Sequence, residues 1–450
     1  MISYKNLLAA ALLLPLTLHA APRRHVLVMS IDGMGAQYLT QADKYGLKIP
    51  TLRQFKREGV YADGVIGVLP TMTYPSHTTM MTGVTPAEHG VYANQKFDPL
   101  GTLHGEAITE ADTIKVKTLW QAAHDAGYTT ASVGFPVTTD ATGIDWLMPA
   151  NGIFEGRSED GAAAAKADPN RHYDHPAGLR ETLAPDVAEM HASDLEQTRV
   201  AWTIAILRHY KPNLMTTHLG DLDHAEHTTG PFSQESLAAL EYLDGRIALL
   251  IAEEKKIDPD AVIVIVSDHG FEPVEKTFNP GVLLTEAGLL QPAAAGAPGD
   301  WKASFWNTGG TAAIVLKDPT DKAVLTTVDA LLQKAAANPE YGIASVLRKA
   351  DIEKTGGFPT ASFVIEMKLS FKIGNGRKGA VVTDTPHTGT HGYLPQRPEL
   401  YASFLMMGPG VVKGKDVGLI DMRQVATTLA DLLGVKLSSG AKAKAVAYAK

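Results

Sequence analysis

Carboxylate and imidazole side chains that could bind divalent metals occur in short polar segments spread along the chain. Asp223 and His227 are four residues apart, which in a helix places both side chains on one side. Asp268 and His269 directly follow an apolar run, where a charge is costly to bury unless it is paired or metal-bound. With two residues from other segments, the potential ligands are Asp32, Asp223, His227, Asp268, His269 and His391. Six mixed nitrogen and oxygen donors suffice for two three-ligand sites and suit zinc better than magnesium or calcium.

Taken one at a time, these motifs also have ordinary structural explanations. Asp268 could cap a helix, with His269 exposed. The Asp223 and His227 pair could lie on a solvated helix surface. Only the joint occurrence of all six residues favours a pair of metal sites, which could clamp the attacking and the leaving oxygen of a displacement at phosphorus.

Thr73 is the candidate nucleophile. The segment Leu69–His77 precedes a short helical pattern that runs to Met81, so Thr73 is expected where free backbone N–H groups at a helix start can bind an anion. A threonine hydroxyl reacts only when a base or a metal lowers its pKa. A plain helix cap is the alternative interpretation of this residue.

Short apolar runs and helical patterns alternate along the chain, and this alternation predicts an α/β fold with a mostly parallel sheet covered by helices on both sides. Ligands bind such sheets at the carboxyl ends of the strands, which is where the aspartates lie. The predicted strands are His25–Ile31, Asn213–Leu222 and Ala261–Ser267, and the predicted helices include Leu119–Ala126, Leu237–Glu254 and Met422–Leu433.

Composition limits the class of protein further. The chain has 450 residues and a formal net charge of -8, without the basic stripe that a nucleic-acid polymer would require. Residues 1–21 have the charge, apolar run and small residues of a signal peptide, which predicts export to the periplasm or medium. No later stretch is long and apolar enough to predict an integral membrane segment. There is no cysteine, so carboxylates and imidazoles must hold any metal.

The order and the sequences of six motifs resemble those of the nucleotide pyrophosphatase/phosphodiesterase family of the alkaline phosphatase superfamily. The motifs are SIDGMGAQYL, LPTMTYPSHTTMMTG, EHGVYANQ, GDLDHAEHTTGP, VSDHGF and GTHGY. The resemblance runs from about His25 to Val412. It implies an alkaline-phosphatase-like sandwich for residues 22–440. The long stretch between His269 and His391 contains predicted strands such as Thr311–Leu316 and indicates a smaller cap or subdomain within approximately 275–385. Residues 441–450 are expected to form a tail that is a frayed helix or disordered.

Each site residue is carried over by its motif. Thr73 matches the family's nucleophile, and Asn94 matches an asparagine that holds a phosphate oxygen. Tyr74 matches the aromatic residue at the substrate, which is often phenylalanine in the family. The family implies two zinc ions per chain and a phosphothreonine intermediate. The implied ligands are Asp32, Thr73, Asp268 and His269 for the first zinc, and Asp223, His227 and His391 for the second.

The chain departs from the family pattern at two places. A Glu-Pro-Asp lead usually precedes the second metal pair, whereas Gly220-Asp221-Leu222-Asp223 stands here. Leu394 occupies the position where an Asp commonly follows His-Gly-Tyr. Neither departure removes a ligand, but Asp221, His224 and His387 become rival ligands.

The expected reaction is hydrolysis of a phosphodiester or pyrophosphate bond in a small molecule such as a nucleotide. The chain lacks a Lys-x-Arg element between Asn94 and Asp223, which superfamily monoesterases use, so diesters are favoured. Phosphonoacetate hydrolase and phosphomonoesterase activities are the alternatives within the superfamily. A ligand-binding protein without activity is the alternative from another class. The sequence identifies neither the leaving group nor the oligomeric state.

Overall fold

A computed structural model of the protein describes residues 23–150, 173–291, 299–438 and 440–449. The predicted signal peptide, residues 1–21, lies outside the described residues. None of the helices in the described part of the chain combines the length and the apolar character needed to cross a membrane.

The largest sheet has eight strands and confirms the predicted α/β fold. Most neighbours in it are parallel, but Phe404–Met407 runs antiparallel to the strand on either side. In spatial order, the strands are Lys415–Asp416, Val60–Tyr61, Phe404–Met407, Val262–Val266, Val26–Ile31, Leu214–Leu219, Thr130–Val133 and Trp146–Met148.

The central strands are buried on both faces, as their largely apolar sequences predict. Successive side chains of a strand point to opposite faces. Leu27 and Met29 therefore enter one hydrophobic core with helix Gln234–Ile257, whereas Val26 and Val28 enter a second core. The α-helices of the described residues are Gln37–Thr40, Pro50–Glu58, Thr73–Thr82, Pro86–His89, Leu119–Asp125, Leu179–Glu189, Leu195–Tyr210, Asp221–Thr229, Gln234–Ile257, Pro280–Glu286, Lys322–Ala336, Lys349–Thr355 and Arg423–Leu433.

A second, antiparallel sheet lies within the region interpreted as a cap. Its strands, in spatial order, are Ala303–Asn307, Thr311–Leu316, Phe363–Met367 and Ile343–Arg348. The sheet has its own hydrophobic core, which includes Val328 and Leu332 of helix Lys322–Ala336. The description of residues 275–385 as a subdomain stays a prediction.

Three smaller sheets lie within the described part of the chain. A three-stranded sheet joins Ser370–Ile373, Glu272–Phe278 and Val382–Thr390, and the last of these strands leads directly into His391. Two-stranded sheets are formed by Leu290–Gln291 with Asp300–Trp301 and by Gly64–Ile66 with Leu419–Asp421.

The described part of the predicted tail is not helical and packs against helix Arg423–Leu433. Val446 is buried, and its N–H donates to Thr428 Oγ1 over 2.8 Å. The Tyr448 hydroxyl donates to Asp431 Oδ2 over 2.7 Å. These contacts fix the path of the chain end.

Candidate metal centre

Three adjacent parallel strands, with the segments that follow them, deliver five of the six potential ligands to one edge of the central sheet. Asp32 directly follows Val26–Ile31, and its N–H donates to Leu219 O on the neighbouring strand over 2.9 Å. Asp268 and His269 follow the strand on the other side, Val262–Val266. Leu214–Leu219 leads through Gly220 into helix Asp221–Thr229, which carries Asp223 and His227.

Asp32, Asp268 and His269 form a buried cluster whose ligand atoms lie within 4.8 Å of one another. His269 Nε2 is 3.4 Å from Asp32 Oδ1 and 3.2 Å from Asp268 Oδ2. These are the three protein side chains assigned with Thr73 to the first metal from the sequence.

The residues assigned to the second metal also meet. Asp223 Oδ1 is 3.6 Å from His227 Nε2 and 4.0 Å from His391 Nε2. The rings of His391 and His269 stack with their centroids 3.8 Å apart, which places the two sets side by side. The ligand atoms of Asp223, His269 and His391 also lie within 4.8 Å of one another. His269 therefore lies between the two sets, which the sequence does not indicate.

Backbone carbonyl groups orient two of the imidazoles. His391 Nδ1 is 3.0 Å from Thr71 O, and His227 Nδ1 is 3.3 Å from Gly389 O. Since a carbonyl oxygen only accepts, each Nδ1 must carry the proton, and each Nε2 presents its lone pair to the site. Burial, followed by the proximity of His391, lowers the pKa of His227 to about 3. Burial also lowers the pKa of His269 and of His391, which keeps the imidazoles in their neutral, metal-binding form.

The charge of the first cluster also fits a cation. Burial and the neighbouring Asp32 raise the pKa of Asp268 well above its usual value. Although burial opposes it, the hydrogen bond from His218 holds the pKa of Asp32 below its usual range. Among the described residues, Asp32 Oδ1, Asp268 Oδ2 and His269 Nε2 have no hydrogen-bond partner. Buried polar atoms are normally satisfied, so these three atoms, which face one another, suit a bound metal ion.

Thr73 begins helix Thr73–Thr82 after the extended residue Met72. Asn94 Nδ2 donates to Thr73 Oγ1 over 3.3 Å, and Asn94 Oδ1 accepts the Tyr74 N–H over 2.9 Å. The Tyr74 side chain is 9% exposed and packs in a small apolar cluster, so little of its ring is open to solvent.

The Thr73 segment contacts both metal sets. His77 Nδ1 is 2.7 Å from Thr73 O and 3.7 Å from Asp268 Oδ2 in the first set. Thr71 O is the carbonyl that orients His391 in the second set. The candidate nucleophile is therefore held beside the cluster through its own backbone.

Three buried residues around the cluster were not anticipated from the sequence. His218 Nε2 contacts Asp32 Oδ2 over 3.1 Å, and His77 Nε2 contacts Ser30 Oγ over 2.7 Å. Glu226 accepts the Tyr38 hydroxyl over 2.8 Å, and burial raises its pKa well above the usual value. The only available signal was a polar residue inside an otherwise buried strand or helix.

The three rival ligands lie outside both clusters. His224 and His387 are exposed. Asp221 faces Glu196, and burial together with the Glu196 charge raises the pKa of Asp221 to about 7.

The fold and the site together define an α/β protein with a candidate two-metal centre beside a threonine at a helix start. A model of the type I phosphodiesterase / nucleotide pyrophosphatase family matches residues 26–394. The chain belongs to this family, as its motifs predicted.

Individual relatives are distant. Human ectonucleotide pyrophosphatase/phosphodiesterase family member 1 is 25% identical over 256 residues, which cover 55% of this chain and 23% of that protein. Venom phosphodiesterase 2 of Crotalus adamanteus is 21% identical over 425 residues, or 91% of this chain and 45% of the relative. The chain thus spans less than half the length of these curated relatives.

Solved structures share the fold over nearly the whole chain. Murine ectonucleotide pyrophosphatase/phosphodiesterase 5, an inactive threonine-to-alanine variant in complex with AMP, aligns with a TM-score of 0.63 and 19% identity. The alignment covers 92% of this chain and 96% of that one. The human counterpart aligns equally well, with 20% identity.

Proposed function

We propose that this protein hydrolyses phosphodiester or pyrophosphate bonds of small molecules such as nucleotides, using two zinc ions and a phosphothreonine intermediate. One observation carries the proposal: six metal-binding side chains from distant segments meet beside the Thr73 backbone. Membership in the family supports the same class of reaction. Export through the segment 1–21 is part of this proposal, and a nucleic-acid polymer is not an expected substrate.

Asp32, Asp268 and His269 would hold the first zinc with Thr73, and the second would be held by Asp223, His227 and His391. Zinc bound there would supply Lewis acidity, which lowers the pKa of the Thr73 hydroxyl and offsets charge on the phosphate and its leaving oxygen.

The chain's own residues account for the remaining steps. Thr73 Oγ1 attacks phosphorus in line, and the bond to the leaving oxygen breaks as the bond to threonine forms. Asn94 Nδ2 lies next to Thr73 Oγ1, where it can donate to a nonbridging oxygen as negative charge develops. Water then cleaves the phosphothreonine and restores the hydroxyl.

The murine relative offers specific support for the substrate class. Its structure contains AMP, and its threonine-to-alanine variant is described as inactive. A nucleotide-type substrate and an essential threonine are consistent with the position of Thr73 here.

Replacing Thr73 tests the covalent step. Thr73→Ala should lower the rate on bis(p-nitrophenyl) phosphate by roughly 10⁴-fold or more, because no other hydroxyl occupies its place. Thr73→Ser keeps a hydroxyl and should retain measurable turnover. Thr82→Ala is the matched control, since it removes a hydroxyl that bonds to Thr78 O at the far end of the same helix. Substantial turnover by Thr73→Ala would contradict the phosphothreonine scheme.

A substrate panel separates the alternative activities. The proposal predicts faster hydrolysis of bis(p-nitrophenyl) phosphate than of p-nitrophenyl phosphate. The reverse preference would indicate a monoesterase, and release of phosphate from phosphonoacetate would indicate a phosphonate hydrolase. Stoichiometric zinc binding with no turnover of any of these compounds would favour a binding protein.

A further inference from the structure

A buried carboxylate caps the helix that carries two of the six ligands. Helix Asp221–Thr229 follows Gly220, which has no side chain to satisfy the free N–H groups of the first turn. Glu196, from the separate helix Leu195–Tyr210, takes this role. Its Oε2 accepts the Gly220 N–H over 2.8 Å and the Asp221 N–H over 3.1 Å.

An arginine partner stabilises this carboxylate inside the protein. Glu196 is 0% exposed and Arg199 is 3% exposed, and Arg199 Nη1 donates to Glu196 Oε2 over 3.0 Å. A buried charge is tolerated when it is paired and hydrogen-bonded. A carboxylate at a helix N-terminus also gains from the helix dipole. Glu196 is therefore fixed by its own helix while it binds the next one.

The far end of the metal-bearing helix is also fixed. His227 Nδ1 is 3.3 Å from Gly389 O, on the strand that leads to His391. The helix has only nine residues, so a rotation or shift at its start would move Asp223 and His227 together. Its two ends are thus held by Glu196 and by the Gly389 carbonyl group.

We infer that Glu196 is a positioning residue for the second metal set, acting through the backbone at Gly220 and Asp221 to aim Asp223 and His227. Its hydrogen bonds connect it to Arg199 and to the Gly220 and Asp221 N–H groups rather than to the potential ligand atoms. The link between Glu196 and catalysis rests on the proposed function, whereas the link between Glu196 and metal affinity does not.

Zinc affinity measured by chelator competition tests this role. Outer residues that orient metal ligands change affinity by about 10–100-fold, so Glu196→Ala should weaken one of two zinc sites by that amount and spare the other. Glu196→Gln keeps an acceptor for the two N–H groups and should recover part of the affinity. Glu253→Ala is the matched control, because Glu253 pairs with Arg208 over 3.0 Å but caps no metal-bearing helix.

Leaving-group dependence gives a second readout that a general loss of stability would not change. A weakened second set should slow phenyl esters more than p-nitrophenyl esters, because poorer leaving groups depend more on charge neutralisation at the leaving oxygen. If Glu196→Ala does not fold, Glu196→Asp replaces it, since the shorter carboxylate keeps its charge but withdraws from Gly220. Wild-type zinc affinities and leaving-group dependence in a folded Glu196→Ala or Glu196→Asp variant would overturn the inference.

The zinc readout also separates the two proposals. If the wild type binds two zinc ions but hydrolyses no diester, the proposed function fails, and the affinities still decide the role of Glu196. If the wild type binds fewer than two zinc ions, both proposals fall.

Discussion

At the scale of single residues, the site depends on donors whose lone pairs are oriented by hydrogen bonds to the backbone. The Thr71 and Gly389 carbonyl groups fix the tautomers of His391 and His227. Burial keeps His269 neutral, and its Nε2 lies 3.4 Å from Asp32 Oδ1 and 3.2 Å from Asp268 Oδ2. Partners that orient metal ligands by hydrogen bonds favour both metal affinity and a defined geometry.

Asn94 is predicted to stabilise the transition state without holding metal. Asn94→Ala should lower kcat/KM for bis(p-nitrophenyl) phosphate by roughly 100-fold, the usual cost of one lost donor to developing oxyanion charge. Zinc content should stay at the wild-type value. Asn213→Ala is a matched control, because Asn213 Oδ1 instead accepts the Thr129 N–H, at a strand start. An unchanged kcat/KM in Asn94→Ala would remove Asn94 from the proposed mechanism.

Residue types and spacing were enough to select Thr73 and the six potential ligands as candidates, because each lies in a short polar motif next to an apolar run, and their roles stay a prediction. They were not enough to predict His77, His218 or Glu196. A buried polar residue inside a helix or strand has no local pattern that reveals its partner. Only the packing of distant segments brings Glu196 to Gly220 and His218 to Asp32.

At the scale of elements, the turn after strand Val26–Ile31 connects the two sets of potential ligands. Gly33 has a φ of +75°, and its N–H donates to Asp268 Oδ1 over 3.1 Å. A Cβ at this position would collide with the Glu226 carboxylate and approach Asp223 Cα to 3.2 Å. Glycine thus allows the strand end to pack closely against helix Asp221–Thr229.

Gly33→Ala should destabilise the protein and disturb metal binding. Positive φ alone costs a non-glycine residue about 1–3 kcal/mol, and the collision with Glu226 adds to this cost. Gly46→Ala is the matched control, because Gly46 has a φ of +65° but a Cβ added there would meet no atom within 4 Å. Urea unfolding should show a larger loss for Gly33→Ala, with weaker zinc binding in that variant alone. Equal losses in the two variants would show that close packing at Gly33 is unimportant.

The main elements were predicted within a few residues of their ends, since the strands are rich in apolar residues and the helices follow an apolar periodicity. Predicted strand His25–Ile31 is Val26–Ile31 in the structure, and predicted helix Leu237–Glu254 extends to Gln234–Ile257. The prediction for Asn213–Leu222 was too long, because helix Asp221–Thr229 already begins within it. Strand order and the antiparallel direction of Phe404–Met407 are set by contacts between distant segments, so local sequence does not reveal them.

At the scale of the whole molecule, the candidate centre joins parts of the chain that fold in different sheets. Asp32, Asp223 and Asp268 come from the carboxyl edge of the central sheet, whereas His391 follows a strand of the three-stranded sheet. Metal ions bound by side chains from both sheets would link the two sheets. Binding to the folded state alone raises stability by about 2.7 kcal/mol at a free zinc concentration 100 times Kd.

The central claim is that these segments form two metal positions beside Thr73, and zinc stoichiometry by native mass spectrometry tests it most directly. The wild type should bind two zinc ions. Asp32→Asn, in the first set, and Asp223→Asn, in the second, should each bind one tightly. A wild type that binds one ion or none, or variants that both keep two with wild-type affinity, would contradict the account.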